Sequence, residues 1–399
     1  MSKVFVTGIG AIAAIGNDVH SIFESLKEGR TGIDKMHRLQ SIHAERLPVG
    51  EVKMTNDALK EDLGLNKETD YSRTLLLALK AAKEAVVDSG IQPTKTIKTG
   101  LISASSVAGM DLTETVAKDY FEGNTIDTSI VKKHPCGNST RFLAQYFEVN
   151  GFVSTISTAC SSSANAIMLG ARMIKHGKLD RVIVGGADAL TKFTLNGFDS
   201  LRILDSEKTR AFDDSRTGLN LGEGAGFLVL ESERLVEQEG KKTYCEVVGY
   251  ANANDAFHQT ASSPEGNGAF YAMRDALQVA GVKETEVDYI NVHGTGTENN
   301  DLSEGVAMKR LFQEALPPFS STKPFTGHTL AAAASIEGVI SCLTLEHQLI
   351  FPNLNFKTPI QELEIVPVTA LQKVKGIKTI LSNSFGFGGN CSSILFQKN

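Results

Sequence analysis

The sequence predicts an α/β fold of two similar halves, stacked as alternating layers of helix and sheet in the order α/β/α/β/α. Strand-like and helix-period segments alternate along the chain, which is typical of βαβ units and of mostly parallel, buried sheets. The same order occurs twice, because residues 85–91 and 276–282 each carry a helix into a glycine and then a β-branched residue. We therefore expect an internal duplication, with an N-terminal half at 1–243, an insertion within it at about 105–150, and a C-terminal half at 244–399.

The elements of the first half follow from local periodicity and from the positions of glycine. Residues 3–8 have the pattern of a strand, and the glycines within 7–10 predict a turn after it. Helical periodicity over 71–90 ends at a glycine, a common C-terminal stop signal, before a strand expected at 99–104. A later helix passes through a glycine into a strand at 181–186, which indicates a crossover between neighbouring strands.

The second half repeats this alternation. A strand is expected at 244–250, followed by a polar loop and by a helix at 268–280 that also ends at a glycine. The β-branched residues at 287–292 predict the next strand, and an apolar helix is expected at 330–345. These positions parallel those of the first half and support the duplication.

Bulk composition excludes several classes of function. The chain has 399 residues, a net charge of −6, and no apolar run of about 18 residues that could cross a bilayer. We therefore expect no membrane span and no nucleic-acid partner. The five cysteines are scattered and have no CxxC spacing, so neither a disulfide framework nor a zinc site is indicated. The N-terminus has no signal-peptide pattern, and we expect a cytoplasmic protein.

Cys160 lies where a β-prone segment meets a helix-period segment. Small residues surround it, namely Ala159 before it and three serines after it, and they leave the turn narrow. The unpaired N–H groups at a helix N-terminus favour a thiolate, so this position predicts a lowered pKa and a nucleophilic sulfur. The alternative is a buried cysteine that packs as a small apolar side chain.

Two histidines occupy comparable positions in the second half. His293 follows the strand predicted at 287–292, at the end where parallel sheets place ligands, and Thr295 and Thr297 follow it with hydroxyl groups. His328 precedes the apolar helix, so the duplication places it as the counterpart of Cys160. A helix N-terminus disfavours the imidazolium, and we expect a neutral His328. The alternative is that each histidine is structural.

Residues 382–390 form a glycine-rich segment, Ser-Asn-Ser-Phe-Gly-Phe-Gly-Gly-Asn. Its glycines permit a positive φ and a close approach of the backbone, so it could present an N–H group to a developing oxyanion or act as a small gate. The alternative is an ordinary turn between two strands.

With these motifs in this order, the chain resembles the elongating β-ketoacyl-acyl-carrier-protein synthases, which have a thiolase-like fold. The resemblance also covers the motifs at 210–213, 216–218 and 222–226. It implies a decarboxylative Claisen condensation of an acyl thioester with malonyl-acyl carrier protein. It also implies that Cys160 is the nucleophile and that His293 and His328 assist decarboxylation.

The same resemblance assigns the remaining site residues. It implies that Lys323 and Glu304 are charges that support the histidines, that the N–H groups of Cys160 and Phe387 form the oxyanion hole, and that Phe387 is also the gate. Substrate contacts are implied for Thr295 and Thr297 with phosphopantetheine and for Val107 and Phe198 on the wall of the acyl pocket. The resemblance further implies that the carrier protein is bound by Arg202, Lys67 and Arg73 and that a structural Na⁺ or K⁺ is held by Asn291, Glu337, Ser382 and Asn383. The resemblance implies no catalytic cofactor, since the carrier supplies the phosphopantetheine.

Pathway and partners are less constrained by the sequence. Ala331 and Ala334 stand where the family usually has glycine, which favours a specialised, aryl polyene-like polyketide pathway over housekeeping fatty-acid elongation. The β-prone run 152–157 predicts a dimer, formed with a second copy or with a related chain-length-factor-like subunit. Two alternatives remain open: a non-catalytic, chain-length-determining partner, and a thiolase, which would use a second cysteine. Cys391 is the position to examine for the thiolase.

Overall fold

The computed structural model describes residues 2–91 and 97–399. Its strands are β1 (Val4–Ala13), β2 (Ile33–Asp34), β3 (Val49–Gly50), β4 (Thr99–Ala104), β5 (Val153–Ile156), β6 (Arg181–Asp188), β7 (Gly224–Ser232), β8 (Cys245–Asn254), β9 (Tyr289–Asn291), β10 (Phe319–Ser320), β11 (Leu349–Ile350), β12 (Gln372–Lys373), β13 (Thr379–Phe385) and β14 (Asn390–Gln397). Its helices are α1 (Val19–Lys27), α2 (Asn56–Leu63), α3 (Arg73–Asp88), α4 (Met110–Phe121), α5 (Thr128–Val131), α6 (Gly137–Tyr146), α7 (Ser162–Lys175), α8 (Lys192–Ser200), α9 (Glu233–Glu239), α10 (Asn267–Ala280), α11 (Glu298–Phe312), α12 (Lys323–Thr326) and α13 (Ala333–His347).

The two halves have the same sheet topology. The strand order is β5-β4-β6-β7-β1 in the first half and β10-β9-β13-β14-β8 in the second, and the directions of corresponding pairs agree. The duplication predicted from sequence is thereby confirmed. The expectation of a mostly parallel sheet is wrong, because two of the four strand pairs in each half are antiparallel. The halves join where β1 meets β8, at the pairs Phe5–Glu246 and Val6–Cys245.

Helices and sheets alternate in five layers, as the sequence predicts. α7 and α13 contact each other between the two sheets, α3 covers the outer face of the first sheet, and α10 and α11 cover that of the second. Successive residues of β6 pack against different layers: Val182 and Val184 pack into the central core, whereas Ile183 packs towards α3. This alternation of side chains buries both faces of each sheet.

The glycines at the start of the chain do not form a turn. β1 continues through Gly8 and Gly10 to Ala13, so the turn predicted at 7–10 is wrong. A Cβ atom at Gly8 would lie 2.3 Å from the carbonyl oxygen of Ala85, and one at Gly10 would lie 2.1 Å from that of Ala81. The glycines therefore allow α3 to pack directly against the strand.

The insertion at 105–150 contains α4, α5 and α6, beside the open edge of the first sheet. Among the residues that the structure describes, β5 is the outermost strand there, and it pairs in parallel with β4 alone. Phe152 and Val153 are 40% and 39% exposed at this edge. No helix within the described residues is long and apolar enough to cross a membrane.

Candidate active site

Cys160 lies in a tight turn between β5 and α7. The preceding residue, Ala159, has a φ of +50°, a left-handed conformation that is uncommon for a residue other than glycine. The Ser162 hydroxyl stabilises the turn by accepting from the N–H of Thr158 at 2.8 Å and donating to the carbonyl of Ala159 at 2.5 Å. A Cβ atom at Gly386 would lie 2.9 Å from the Thr158 carbonyl oxygen, so this glycine lets the 382–390 segment approach the nucleophile.

The thiol of Cys160 is buried, and burial controls its protonation. Desolvation raises the pKa of the thiol to about 11, although the charge of Lys323 and the N–H group of Phe387 act in the opposite direction. The prediction of a lowered pKa is therefore wrong. Cys160 precedes the first helical residue by two positions, and its burial removes water from the sulfur.

The raised pKa predicts how fast Cys160 reacts with iodoacetamide. The thiolate is the reactive form, and at any pH below about 11 most of the group is thiol. We expect the alkylation rate to rise about tenfold per pH unit between pH 7 and 10. Quenched time courses at each pH, with the Cys160 peptide quantified by mass spectrometry, measure this slope. A rate that levels off below pH 8 would contradict the raised pKa.

His293 and His328 face the same cavity as Cys160. Their ring centroids are 5.5 Å apart and the rings are nearly perpendicular, at 85°. Burial, reinforced by the positive charge of Lys323, lowers the pKa of both imidazoles well below the usual value of 6.5. The prediction of a neutral His328 is confirmed, with burial as its main cause. Both rings are therefore neutral at pH 7 and can donate an N–H to a developing negative charge.

Backbone contacts hold the two histidines. Nδ1 of His328 accepts the N–H of Leu330 at 3.1 Å, which leaves the proton of the neutral ring on Nε2. The N–H of His293 donates to Oε1 of Glu304 at 2.9 Å, and Oε2 of Glu304 accepts the N–H of Gly294 at 2.9 Å. Burial raises the pKa of Glu304 to about 7.

Lys323 connects the two histidine-bearing segments. Its Nζ donates to the carbonyl oxygen of His293 at 2.5 Å and to Oε1 of Glu337 at 2.6 Å, and both charged side chains are buried. Its positive charge is fixed within the site, where it disfavours imidazolium and favours anions. The structure thus places Lys323 and Glu304 next to the histidines through backbone contacts.

The cavity in front of Cys160 has a volume of about 100 Å³. Thr295, Thr297, Phe198 and Phe387 line it with the cysteine and the two histidines. The ring of Phe387 stacks on that of Phe198, with centroids 5.5 Å apart and an interplanar angle of 21°. The gate predicted at Phe387 therefore contacts the predicted pocket wall.

Val107 does not line this cavity. Val107 belongs to an apolar cluster that also contains Leu219 and Leu330, and Phe198 both packs against the same cluster and lines the cavity. The assignment of Val107 to the wall of the acyl pocket stays a prediction.

Unpartnered polar atoms lie at the predicted cation site. In the described part of the chain, neither amide atom of Asn291 nor Oε2 of Glu337 has a hydrogen-bond partner, although all are buried. Ser382 is also buried, whereas Oδ1 of Asn383 accepts the hydroxyl of Ser393 at 2.8 Å. Orphaned amide and carboxylate oxygens suit a hard monovalent cation, so Asn291 and Glu337 fit a structural Na⁺ or K⁺.

The three predicted carrier contacts differ in their exposure. Arg202 is exposed after α8, and Lys67 is exposed and pairs with Glu61 at 3.0 Å. Arg73 is not a surface contact: its Nε and Nη2 donate to the carboxylate of Glu223 at 2.8 and 2.7 Å, and its side chain is 11% exposed. The prediction for Arg73 is wrong because its partner lies 150 residues away in sequence.

Sequence reasoning missed a further part of the cavity wall. The β8–α10 loop contributes Asp255, Thr260 and Ser262, and the start of α11 contributes Asn299 and Asn300. The sequence marks this β8–α10 segment only as a polar loop. Its position after the first strand of the second half was the available signal, since such connections at the ligand-binding end of a sheet carry function.

Cys391 also lines the cavity, and burial raises the pKa of its thiol above the ordinary value. The presence of two neutral histidines in the same cavity favours decarboxylation over the thiolase alternative.

Comparison with known proteins agrees with this geometry. The family model of the β-ketoacyl synthase N-terminal domain matches residues 1–235, and that of the C-terminal domain matches residues 244–357. The 3-oxoacyl-[acyl-carrier-protein] synthase 2 of Staphylococcus aureus (strain COL) is 33% identical over 410 residues, which cover 99% of this chain and 98% of the relative.

This chain is also similar to chains in two solved structures of complexes. A chain of AntDE:AntF, a type II polyketide synthase acyl-carrier protein in complex with its ketosynthase, matches with a TM-score of 0.90 and 27% identity, covering 100% of both chains. A chain of the complex between the ketosynthase ApeO and its chain length factor ApeC from Xenorhabdus doucetiae matches with a TM-score of 0.87 and 31% identity, covering 100% of this chain and 98% of that one. The thiolase-like fold is confirmed, and the chain belongs to the β-ketoacyl synthase family, as a condensing enzyme of the elongating type.

Proposed function

We propose that this chain condenses an acyl thioester with malonyl-acyl carrier protein, using Cys160 as nucleophile and His293 and His328 as donors to the enolate. The observation that carries the proposal is one small cavity, shared by a thiol, two neutral imidazoles and the N–H group of Phe387. Such a set can receive an acyl group and also stabilise two different oxyanions.

In the first step Cys160 displaces the carrier thiol from the acyl thioester. The thiol proton passes to the departing phosphopantetheine sulfur, and a new thioester forms on Cys160. The oxyanion of the tetrahedral intermediate accepts N–H groups of Cys160 and Phe387. The N–H group of Phe387 acts to lower the pKa of the Cys160 thiol, which supports this placement.

In the second step the malonyl group loses CO₂, and the electrons of the broken C–C bond form an enolate. The enolate oxygen accepts N–H groups from His293 and from Nε2 of His328, which need no solvent reorganisation. The enolate carbon then attacks the acyl carbonyl, and the sulfur of Cys160 leaves as a thiolate and takes a proton from solvent water. Thr295 and Thr297, with hydroxyls 2.9 Å apart, would contact the phosphopantetheine arm.

Reconstitution tests the proposal directly. The purified chain is mixed with acyl-loaded and malonyl-loaded carrier proteins of several lengths, and intact mass spectrometry follows each carrier and the enzyme. We expect an acyl adduct on Cys160 and a β-ketoacyl carrier two carbons longer than the primer. An enzyme that never acquires an acyl group would favour the non-catalytic partner subunit.

The proposed carrier contacts are Arg202 and Lys67, which are exposed. AntDE:AntF is a ketosynthase bound to its acyl-carrier protein, and it covers the whole of this chain. Carrier docking near Arg202 is supported by the position of α8, because Phe198 on the same helix lines the cavity. The likeness to a complex of a ketosynthase with its chain length factor supports a specialised, polyketide-like pathway, and the free state of all five cysteines agrees with the cytoplasm.

Enlarging Val107 is expected to shorten the acyl chain. Val107→Phe overfills the cluster behind Phe198, and overpacking of this kind costs about 1–3 kcal/mol or closes the space outright. The longest chain loaded on Cys160 from a carrier series, read by intact mass, should decrease. Val87→Phe adds the same ring at a position that is 72% exposed on α3 and serves as the control. An unchanged length limit would remove Val107 from chain-length control.

We also propose that the active form is a dimer formed at the edge of β5. The carbonyl groups of Phe152 and Ile156 accept hydrogen bonds from the β4 side, so by the alternation of a strand the N–H groups of Val153 and Thr155 point to the open edge. A second strand placed across a twofold axis would pair with these groups and cover the exposed Phe152. The partner is then a second copy or a chain-length-factor-like subunit.

Light scattering on Val153→Pro tests the dimer. Proline removes an outward N–H group without touching the pairing with β4, so we expect a monomer with reduced activity. Val153→Thr keeps the N–H group and should remain dimeric. A monomeric and active wild type, or a fully active dimer of the proline variant, would contradict the proposal. A dimer seen only with a co-expressed second synthase-like chain would identify the heterodimer.

A further inference from the structure

Asp188 is a fully buried carboxylate at the end of β6, close to the site but outside the reaction scheme. Its Oδ1 accepts from the hydroxyl of Ser105 at 2.6 Å and from the N–H groups of Ser106 and Val107 at 3.0 Å. Its Oδ2 accepts from the hydroxyl of Ser106 at 2.6 Å and from the N–H of Ala331 at 2.9 Å. Among the described residues no cationic side chain forms an ion pair with it.

These contacts join the two halves of the chain. The serines and Val107 belong to the first half, in the loop that follows β4. Ala331 belongs to the second half, in the 3₁₀ turn Leu330–Ala332 that follows His328. The N–H group of Leu330 donates to Nδ1 of His328, so the carboxylate and the imidazole fix adjacent residues of one turn.

Both segments held by Asp188 contain strained backbone. Leu330 has a φ of +53° and Ala108 a φ of +56°, conformations that are costly for residues with a side chain. The N–H of Ala108 donates to the hydroxyl of Ser105, which in turn donates to Asp188. Such conformations persist only where the surroundings fix them, and here one carboxylate is common to both.

We propose that Asp188 is a positioning residue, which sets the orientation of His328 on the malonyl side and the position of Val107 on the acyl side. The inference rests on the proposed roles of these two residues. Asn at this position would keep the shape and lose one acceptor oxygen, so an N–H₂ group would face the donors that the carboxylate now accepts. The turn after His328 would then lose its link to β6.

The experiment compares three rates in purified Asp188→Asn and wild-type enzyme. We expect kcat for malonyl-carrier decarboxylation to fall by about 10–100-fold, with an unchanged KM for the carrier, since the docking surface is untouched. Acylation of Cys160 by a short acyl carrier should stay within about threefold, and the limiting chain length should change. Asp288→Asn is the control, because Asp288 also accepts two backbone N–H groups, those of Lys378 and Thr379, away from the cavity.

Ser105→Ala tests separately the two proposed effects of Asp188, that on His328 (the His328 arm) and that on Val107 (the Val107 arm). It releases Ala108 and leaves the contact with Ala331, so the chain-length limit should change while decarboxylation stays near the wild-type rate. Wild-type decarboxylation in folded Asp188→Asn, or in Asp188→Glu should the first variant not fold, would overturn the His328 arm. A wild-type length limit in both Ser105→Ala and Asp188→Asn would overturn the Val107 arm, since the N–H of Val107 also donates to Asp188 directly. A wild-type enzyme that neither loads nor decarboxylates would count against the proposed function instead.

Discussion

Cys160→Ala is expected to abolish condensation, with a fall of about 10⁴–10⁶-fold in rate. The acyl group has no other acceptor of this kind, because Cys391, the second thiol of the cavity, is not set in the turn beside the Phe387 N–H group. The measurement is intact mass after incubation with acyl carrier, together with the yield of β-ketoacyl carrier. Decarboxylation of malonyl carrier should persist, since both histidines remain in place.

Cys136→Ala provides the matched control for this variant. Cys136 precedes α6, is only partly buried and does not line the cavity, so its loss should leave loading and condensation near the wild-type rate. Continued acyl loading of the Cys160→Ala enzyme would mean that another nucleophile carries the chain. Cys391 would then be the first residue to examine.

Replacing either histidine by alanine is expected to suppress decarboxylation by about 10²–10³-fold and to leave acylation of Cys160 intact. Each neutral imidazole supplies one preorganised N–H group to the enolate, and neither is needed to form the acyl thioester. Conversion of malonyl carrier to acetyl carrier, followed by mass, gives the rate. His20→Ala, at an exposed position on α1, is the control.

The two histidine variants should differ in stability. His328→Ala removes the acceptor of the strained Leu330 N–H group, whereas Nδ1 of His293 has no hydrogen-bond partner among the described residues. We therefore expect a larger fall in melting temperature for His328→Ala. If both variants decarboxylate at the wild-type rate, the assignment of the imidazoles to the enolate is wrong.

Local sequence signals located much of the fold and of the site. β4 begins and ends at the residues predicted, and α3 and α10 lie within two residues of their expected bounds. The site also follows from sequence where a motif sits at the end of a strand or the start of a helix, as at Cys160, His293 and His328. In those places the chemistry depends on neighbours in the chain.

What the sequence could not predict depends on distant partners. Local sequence predicts a surface cation at Arg73, because its partner Glu223 is remote in the chain. It predicts a turn at Gly8, because the packing of α3 against this glycine is not visible in the local pattern. The pKa of Cys160 reflects burial by segments from both halves, which no local pattern reports. Asp188 was missed for the same reason, since its donors lie some 80 and some 140 residues away.

The pairing of β1 with β8 is too short to hold the two halves of the chain together by itself. β1 and β8 meet at only two residue pairs, so the sheets contribute little to holding the halves together, and the shared layer of α7 and α13 does most of it. Neither central helix can be covered by its own half, so a half made alone would expose a large apolar face and should not be a stable domain. Two of the reacting groups, Cys160 and His328, lie just before the helices of this layer. Heat should therefore destroy catalysis and tertiary structure in a single cooperative transition, with no folded but inactive intermediate.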